Sequence, residues 1–349
     1  MKSSVLRSAL VASLVACSSP GGGPPDAAGN GLVAPNETWT FVPIDGMVCA
    51  DGTPTGVGVN LTDRSDRVMV YFQGGGACWD PTTCFVIKSA THIEGGYHDT
   101  DFQSEIASIA SSYIIQRTDP NPFKDASWIY VPYCTGDLHD GANVATYNVS
   151  GVDKQVHHAG STNADLVLAR VAATRPTTDT VWLVGASAGA YGVGFNWANA
   201  RSKWPSAKVH VLADSSPLVT LESTRWAAMQ TEWKMKFPAT CTGCATDLGM
   251  MPAALRGEAP AGDRYGLLSY LDDGTISTYF GLTGPQLHTA IVAEQAAMTP
   301  GSGQAAFVLT GTSHVVLGNQ TASTTTGVML QTWITQWATG DAAWANAGP

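Results

Sequence analysis

The sequence predicts an α/β fold with a mostly parallel central sheet and helices on both of its faces. The first observation is a series of continuous apolar runs, which are typical of strands covered on both sides. These runs cover residues 68–72, 128–133, 181–184, 209–213, 265–271 and 306–309. The second observation is that segments with helical spacing alternate with the runs, as they do around parallel sheets.

The helical segments have apolar residues three and four positions apart, as on one face of a helix. They cover residues 102–115, 163–173, 188–200, 221–237, 284–298 and 325–338. No internal repeat and no second linker divides the chain, so residues 37–349 are predicted to form one domain.

The first residues form a predicted export signal, 1–17. Lys2 and Arg7 precede an apolar run that ends in LVAC at Cys17, an order typical of secretory signals. Its end resembles a bacterial lipoprotein signal, whose cleavage leaves Cys17 as a lipidated N-terminus. The alternative is an ordinary secretory signal peptide, in which Cys17 has no special role. Residues 18–36 are rich in Ser, Gly and Pro and are predicted to be a flexible tether.

These segments predict an exported protein. We expect it to be lipid-anchored to the bacterial cell envelope, in the periplasm or at the cell surface, or else secreted. The lipid anchor is its only expected membrane contact. With 28 acidic and 18 basic residues the net charge is −10, which leaves no basic surface for nucleic acid.

Six cysteines remain besides Cys17, an even number that predicts three disulfides in an exported protein. They are Cys49, Cys78, Cys84, Cys134, Cys241 and Cys244. The count alone does not choose the pairing. Cys241 and Cys244 form one CxxC, which without further ligands is weak evidence for zinc, so we expect no metal.

A serine between glycines follows the predicted strand 181–184. The sequence GASAG, residues 185–189, leads into a helical segment. In α/β hydrolases, G-x-S-x-G forms a sharp, strained turn that exposes the serine oxygen above the sheet. This context predicts that Ser187 is a nucleophile. The alternative is a glycine-rich helix start that serves packing only.

A nucleophilic serine needs a histidine to accept its proton and a carboxylate to orient that histidine. In this fold the acid and then the histidine follow the serine, on loops after later strands. His314 follows the last predicted strand and is our candidate base. His210 lies within a predicted strand and His288 on a predicted helix face. The earlier histidines His139, His157 and His158 are expected to have structural roles or to support the catalytic residues.

The acid has three candidates. The predicted strand 265–271 ends in two adjacent carboxylates, Asp272 and Asp273, where the acid belongs. We favour Asp273 over Asp272, although one of them could instead cap a helix that begins near Thr275. Asp214, after the preceding strand, is the third candidate.

A glycine run follows the predicted strand 68–72. Ester hydrolysis builds negative charge on the carbonyl oxygen, which preorganised backbone N–H groups stabilise. In α/β hydrolases an early strand loop supplies such donors. We therefore expect an oxyanion hole formed by Gly75, Gly76 and Ala188; the alternative is a flexible hairpin. Trp79, beside this loop, is a candidate substrate contact or a packing residue.

The ordered set of motifs resembles the pectin acetylesterase and Notum family, extracellular serine carboxylesterases of α/β-hydrolase fold. The resemblance covers residues 49–314 and is carried by VCADGTPTG, YFQGGGACWDPTTC, WIYVPYCTGD, LVGASAGAYGV and VLADSSP. It implies that Ser187 is the nucleophile, that His314 is the base and that the acid lies in YLDDGTI. It also implies the disulfides Cys49–Cys134, Cys78–Cys84 and Cys241–Cys244.

The family resemblance implies a carboxylesterase without a cofactor that forms an acyl-enzyme on Ser187. Family members remove acetyl groups from pectin in plants and a fatty acyl group from a signalling protein in animals. This chain departs from both groups. The residue after its glycine pair is Gly76 and not a bulky aromatic one, and its C-terminal part is short.

We expect the substrate to be an acetyl ester on a polysaccharide such as pectin. One alternative is a longer acyl ester, and another is a non-catalytic surface lipoprotein that binds glycans. Trp226 and Trp233 are, like Trp79, candidate substrate contacts with packing as the alternative.

Overall fold

The computed structural model describes residues 30–298 and 301–349, and a central sheet of eight strands forms its centre. Its strands, with those of a separate hairpin, are β1 (Thr40–Val48), β2 (Pro54–Asn60), β3 (Val68–Phe72), β4 (Ser127–Val131), β5 (Asn143–Val149), β6 (Val152–His158), β7 (Thr180–Ala186), β8 (Lys208–Asp214), β9 (Tyr265–Tyr270) and β10 (Gln304–Leu309). The predicted signal 1–17 with Cys17, and residues 18–29 of the predicted tether, lie outside the described residues.

The sheet has the strand order β1-β2-β4-β3-β7-β8-β9-β10, and β5 pairs with β6 in the hairpin. From β4 to β10 neighbouring strands run parallel, whereas β1 and β2 are antiparallel at one edge. The carboxyl ends of the parallel strands therefore meet at one edge of the sheet, where the loops after β3, β7, β8, β9 and β10 come together.

Helices cover both faces of this sheet. They are α1 (Asp99–Ile109), α2 (Gly160–Thr174), α3 (Ala188–Phe195), α4 (Trp197–Lys203), α5 (Ser223–Trp233), α6 (Met251–Glu258), α7 (Gly274–Phe280), α8 (Gly284–Ala297) and α9 (Leu330–Thr339). Val70 of β3 packs in a core with α2 and α3, and its neighbour Met69 packs in a second core with α9. Alternate residues of one strand thus face opposite layers, and the predicted α/β class is confirmed.

The structure differs from the sequence prediction in several elements, among them helix α6, which was not predicted. Strands β1, β2, β5 and β6 were not predicted; along β1 and β5 buried and exposed residues alternate, and the prediction rested on continuous apolar runs. The predicted helix 188–200 is interrupted at Asn196, whose side-chain amide donates to the carbonyl oxygens of Gly192 and His139 at 3.0 Å each.

Three disulfides cross-link the described part of the chain. They join Cys49 to Cys134, Cys78 to Cys84 and Cys241 to Cys244, which are the pairs that the resemblance implies. Within residues 30–298 and 301–349, the structure contains no helix with the length and apolar character that spanning a bilayer requires.

Candidate active site

Ser187 lies in a tight turn between β7 and α3. Its backbone has φ +55° and ψ −124°, a strained conformation for a residue with a side chain. A Cβ on Gly185 would lie 2.3 Å from the Gly189 carbonyl oxygen, and one on Gly189 would lie 2.0 Å from that of Phe72. Both flanking positions therefore require glycine, and the turn presents the serine at the carboxyl edge of the sheet.

His314 and Asp273 meet at the same edge. The imidazole Nδ1 lies 2.7 Å from Oδ2 of Asp273, whose carboxylate is fully buried. The other oxygen, Oδ1, accepts the N–H groups of Thr275 and Ile276 at 3.0 Å and caps α7. One carboxylate thus both caps the helix and contacts the histidine, so the two roles considered for this position are compatible.

Asp272 lies beside a different histidine. Its Oδ1 is 3.0 Å from Nδ1 of His288 on α8, and both side chains are more than a third exposed. The two adjacent carboxylates therefore differ in burial, since that of Asp273 is buried and that of Asp272 is partly exposed. Of these two carboxylates, only that of Asp273 makes a buried contact with His314.

Asp214, at the end of β8, contacts the backbone on both sides of the site. Its carbonyl oxygen accepts the Ser187 N–H at 2.8 Å. Its carboxylate accepts the N–H groups of Val316 and Leu317, at 2.9 and 2.7 Å, in the loop that begins at His314. Burial raises the pKa of this carboxyl to about 6. Sequence reasoning considered Asp214 only as a triad acid and missed this arrangement.

The glycine loop after β3 and the first residue of α3 offer free backbone donors. Within the described residues, the N–H groups of Gly75, Gly76 and Ala188 donate no hydrogen bond to the protein. The loop is held by the Cys78–Cys84 disulfide. Free amides on a pinned loop are what an oxyanion hole requires.

Gln73 anchors the strand end that precedes these glycines. Its carbonyl oxygen accepts from Nε2 of His139 at 2.8 Å, its Oε1 accepts the Tyr133 N–H at 2.9 Å, and its Nε2 donates to Glu105 at 3.1 Å. Burial lowers the pKa of His139 to about 4, which keeps the imidazole neutral. His139 thus bonds the residue that directly precedes the glycines.

A cavity of about 20 Å³ adjoins Ser187. Besides Ser187, it is lined by Gly76, Ala77, Leu138, Ala188, Tyr191, Met229, Ile276, Tyr279 and Phe280. A larger apolar cavity of about 190 Å³ is lined by Tyr71, Trp128 and Val315, among others, and not by Ser187. The small cavity is therefore the one next to the candidate chemistry.

The candidate tryptophans do not line the cavity beside Ser187. Trp79 is partly buried and lies under Arg225, whose guanidinium is 5.7 Å from the ring centroid. Trp226 and Trp233 are buried, and their indole N–H groups donate to backbone carbonyls at 3.1 and 2.8 Å. Both side chains pack in the buried core.

The chain is similar to proteins of one family. The model of the pectinacetylesterase family matches residues 38–234. The palmitoleoyl-protein carboxylesterase NOTUM of Schmidtea mediterranea is 28% identical over 155 residues, which are 42% of this chain and 27% of that protein. The inactive palmitoleoyl-protein carboxylesterase notum1b of Danio rerio is 27% identical over 111 residues, 29% of this chain and 70% of that protein.

A solved structure resembles the fold over most of the chain. The structure of the Wnt deacylase Notum from Drosophila matches 88% of this chain and 95% of its own, with a TM-score of 0.66 and 16% sequence identity. At that identity the similarity shows the α/β-hydrolase-like fold. The sequence match to the Schmidtea protein, by contrast, spans about a quarter of that protein's length.

Proposed function

The chain belongs to the pectinacetylesterase family, and from that premise we propose that it is a serine carboxylesterase that releases acetyl groups. In this proposal Ser187 is the nucleophile, His314 the base and Asp273 the acid. The observation that carries it is the 2.7 Å contact between His314 Nδ1 and the buried Asp273 carboxylate, at the edge where the strained Ser187 turn lies.

Asp273 sets the proton positions on His314. Because a carboxylate only accepts, Nδ1 carries the proton and Nε2 presents a lone pair. That Nε2 is buried and has no hydrogen-bond partner among the described residues. No hydrogen bond joins it to Ser187 Oγ within residues 30–298 and 301–349, a contact that often tightens only when substrate binds.

The reaction then follows the acyl-enzyme route. Ser187 Oγ attacks the ester carbonyl while His314 Nε2 takes its proton, and the Gly75, Gly76 and Ala188 N–H groups bind the resulting oxyanion. His314 returns the proton to the departing alcohol, leaving an acetyl ester on Ser187. A water molecule, deprotonated by His314, hydrolyses that ester and releases acetate.

The size of the cavity supports an acetyl group. One water-sized group needs about 10–15 Å³ of such space, and the cavity beside Ser187 offers about 20 Å³. This space is on the scale of a methyl group and far below that of the palmitoleoyl group named for the NOTUM relative. The alcohol part, a polysaccharide such as pectin, is proposed on the family alone.

Export is part of the proposal. Three disulfides support an oxidising compartment, and residues 1–17 carry the predicted signal with Cys17. We place the mature protein at the bacterial cell envelope through a lipid at Cys17, or outside the cell.

A non-catalytic binding protein is the second candidate, because one relative is named as inactive. Turnover of p-nitrophenyl acetate by wild type and Ser187→Ala separates the two. The esterase proposal expects turnover that Ser187→Ala abolishes. Glycan binding by folded wild type without turnover of any ester would favour the binding protein.

A further inference from the structure

Tyr279 connects helix α7 to the glycine loop. Its side chain is partly buried and lines the cavity beside Ser187. Its hydroxyl donates to the carbonyl oxygen of Ser89, which also accepts the Ala77 N–H at 3.2 Å. The ring is therefore held across one side of the cavity.

Gly76 shows how closely this side is packed. A Cβ on Gly76 would lie 2.4 Å from the Tyr279 hydroxyl oxygen and 2.0 Å from the Ser89 carbonyl oxygen, and the Gly76 φ is +80°. The phenol thus occupies the space that a side chain at position 76 would need. Although position 76 has no side chain, the cavity is not wider there, because the Tyr279 phenol fills that space.

The other apolar lining residues belong to the buried core. Each of them is less than a tenth exposed: Leu138, Tyr191, Met229, Ile276 and Phe280. Truncating any of these would leave a void in the core. Tyr279 is partly exposed, so its ring can be removed at the smallest cost to packing.

We propose that Tyr279 is the specificity-determining residue of this site and that it restricts the enzyme to acetyl esters. This inference rests on the proposed function, since it names the ester that the same serine accepts. With about 20 Å³ available, the acetyl methyl group fills the cavity and the next carbons of a longer chain meet the phenol ring.

If Tyr279 took part in catalysis, activity would depend on its hydroxyl. If it only limits the length of the acyl chain, the chain-length preference depends on its ring. The Tyr279 hydroxyl is committed to Ser89, so it is not a donor for the oxyanion. Tyr279→Phe keeps the ring and loses only that hydroxyl. It serves as the matched control for Tyr279→Ala, which removes the ring.

The test compares kcat/KM for p-nitrophenyl acetate, butyrate and octanoate in wild type, Tyr279→Phe, Tyr279→Leu and Tyr279→Ala. One badly placed methylene costs roughly tenfold or more in kcat/KM. Wild type is therefore expected to prefer acetate over butyrate by roughly 100-fold. Tyr279→Ala should reduce that preference at least about tenfold by raising butyrate turnover, with Tyr279→Leu intermediate and Tyr279→Phe close to wild type.

Three results would overturn the inference. An unchanged chain-length profile in folded Tyr279→Leu or Tyr279→Ala would show that another residue sets the limit. Loss of acetate turnover in folded Tyr279→Phe would show that the glycine loop needs the bond of the hydroxyl to Ser89, and would overturn a role confined to the ring. Wild type that already turns over octanoate as fast as acetate would show an open site. Wild type without turnover of any ester would instead remove the proposed function, and this inference with it.

Discussion

The carbonyl oxygen of Asp214 lies 2.8 Å from the backbone nitrogen of Ser187 and accepts its N–H. The carboxylate of the same residue binds the loop after His314, through the N–H groups of Val316 and Leu317. One buried residue therefore spans the proposed nucleophile and the proposed base. Asp214 is a positioning residue in this account, because it touches neither the substrate nor the reacting atoms.

Asp214→Asn tests this positioning. Asparagine offers one side-chain acceptor oxygen, so its amide NH₂ would face one of the two loop N–H groups. Leaving a buried donor unpaired costs about 1–3 kcal/mol, and we expect kcat on p-nitrophenyl acetate to fall roughly 10- to 100-fold with KM nearly unchanged. A purely structural role would instead lower the melting temperature and leave kcat per folded molecule intact.

Asp273→Asn and Asp272→Asn form a matched pair of adjacent carboxylates. Asparagine at 273 can hold the wrong tautomer of His314, so kcat/KM should fall by about 10³- to 10⁴-fold. Asp272 contacts His288 at a more exposed position, and its variant should stay within about threefold of wild type, as for a surface pair. Equal losses in the two variants would contradict the assignment of the acid.

Two disulfides should separate stability from activity. Loss of Cys49–Cys134, which closes a separation of 85 residues, should cost about 4–5 kcal/mol of unfolding free energy by loop entropy. Loss of Cys78–Cys84 should cost only about 2 kcal/mol of unfolding free energy. It should lower kcat more than loss of Cys49–Cys134 does, because it releases the glycine loop. Urea unfolding and kcat of the two Cys→Ser double variants check this. A larger kcat loss in the Cys49–Cys134 variant would argue against a role for the loop.

Glu294→Gln tests a buried carboxyl on α8. Burial raises its pKa to about 7, against the opposing effects of the hydrogen bond from the Leu218 N–H and, to a smaller extent, of the Arg256 charge. The folded state therefore holds a proton that the unfolded state loses from about pH 4.5 upward, so wild type loses stability as the pH rises through this window to 7. The variant does not titrate, and its stability relative to wild type should rise by up to roughly 3 kcal/mol between pH 4 and 8. An equal difference in unfolding free energy between variant and wild type at pH 4 and at pH 8 would contradict the raised pKa of Glu294.

Local sequence predicts the parts of this fold that local patterns encode. The continuous runs of β3 and β7 and the GASAG turn carry their signal within a few residues. Strands β1 and β5 alternate buried with exposed positions, and period-two alternation in TFVPIDGMV and NVATYNV is the signal that could have identified them.

The remaining site contacts depend on residues far apart in the chain. Asp272 and Asp273 are adjacent and chemically alike, so only the three-dimensional position of His314 separates them. The bonds from Asp214 to Val316 and Leu317 span 102 and 103 residues, and nothing near position 214 indicates them. The contact of Tyr279 with Ser89 is likewise absent from any local motif.

The most direct test of the account is to react the protein with a fluorophosphonate and locate the adduct by peptide mass spectrometry, in wild type and in His314→Ala. The account predicts stoichiometric labelling of wild type on Ser187, with no label on other serines and a labelling rate in His314→Ala that is lower by at least about 10³-fold. Folded wild type that stays unlabelled, or that is labelled equally fast without His314, would contradict it.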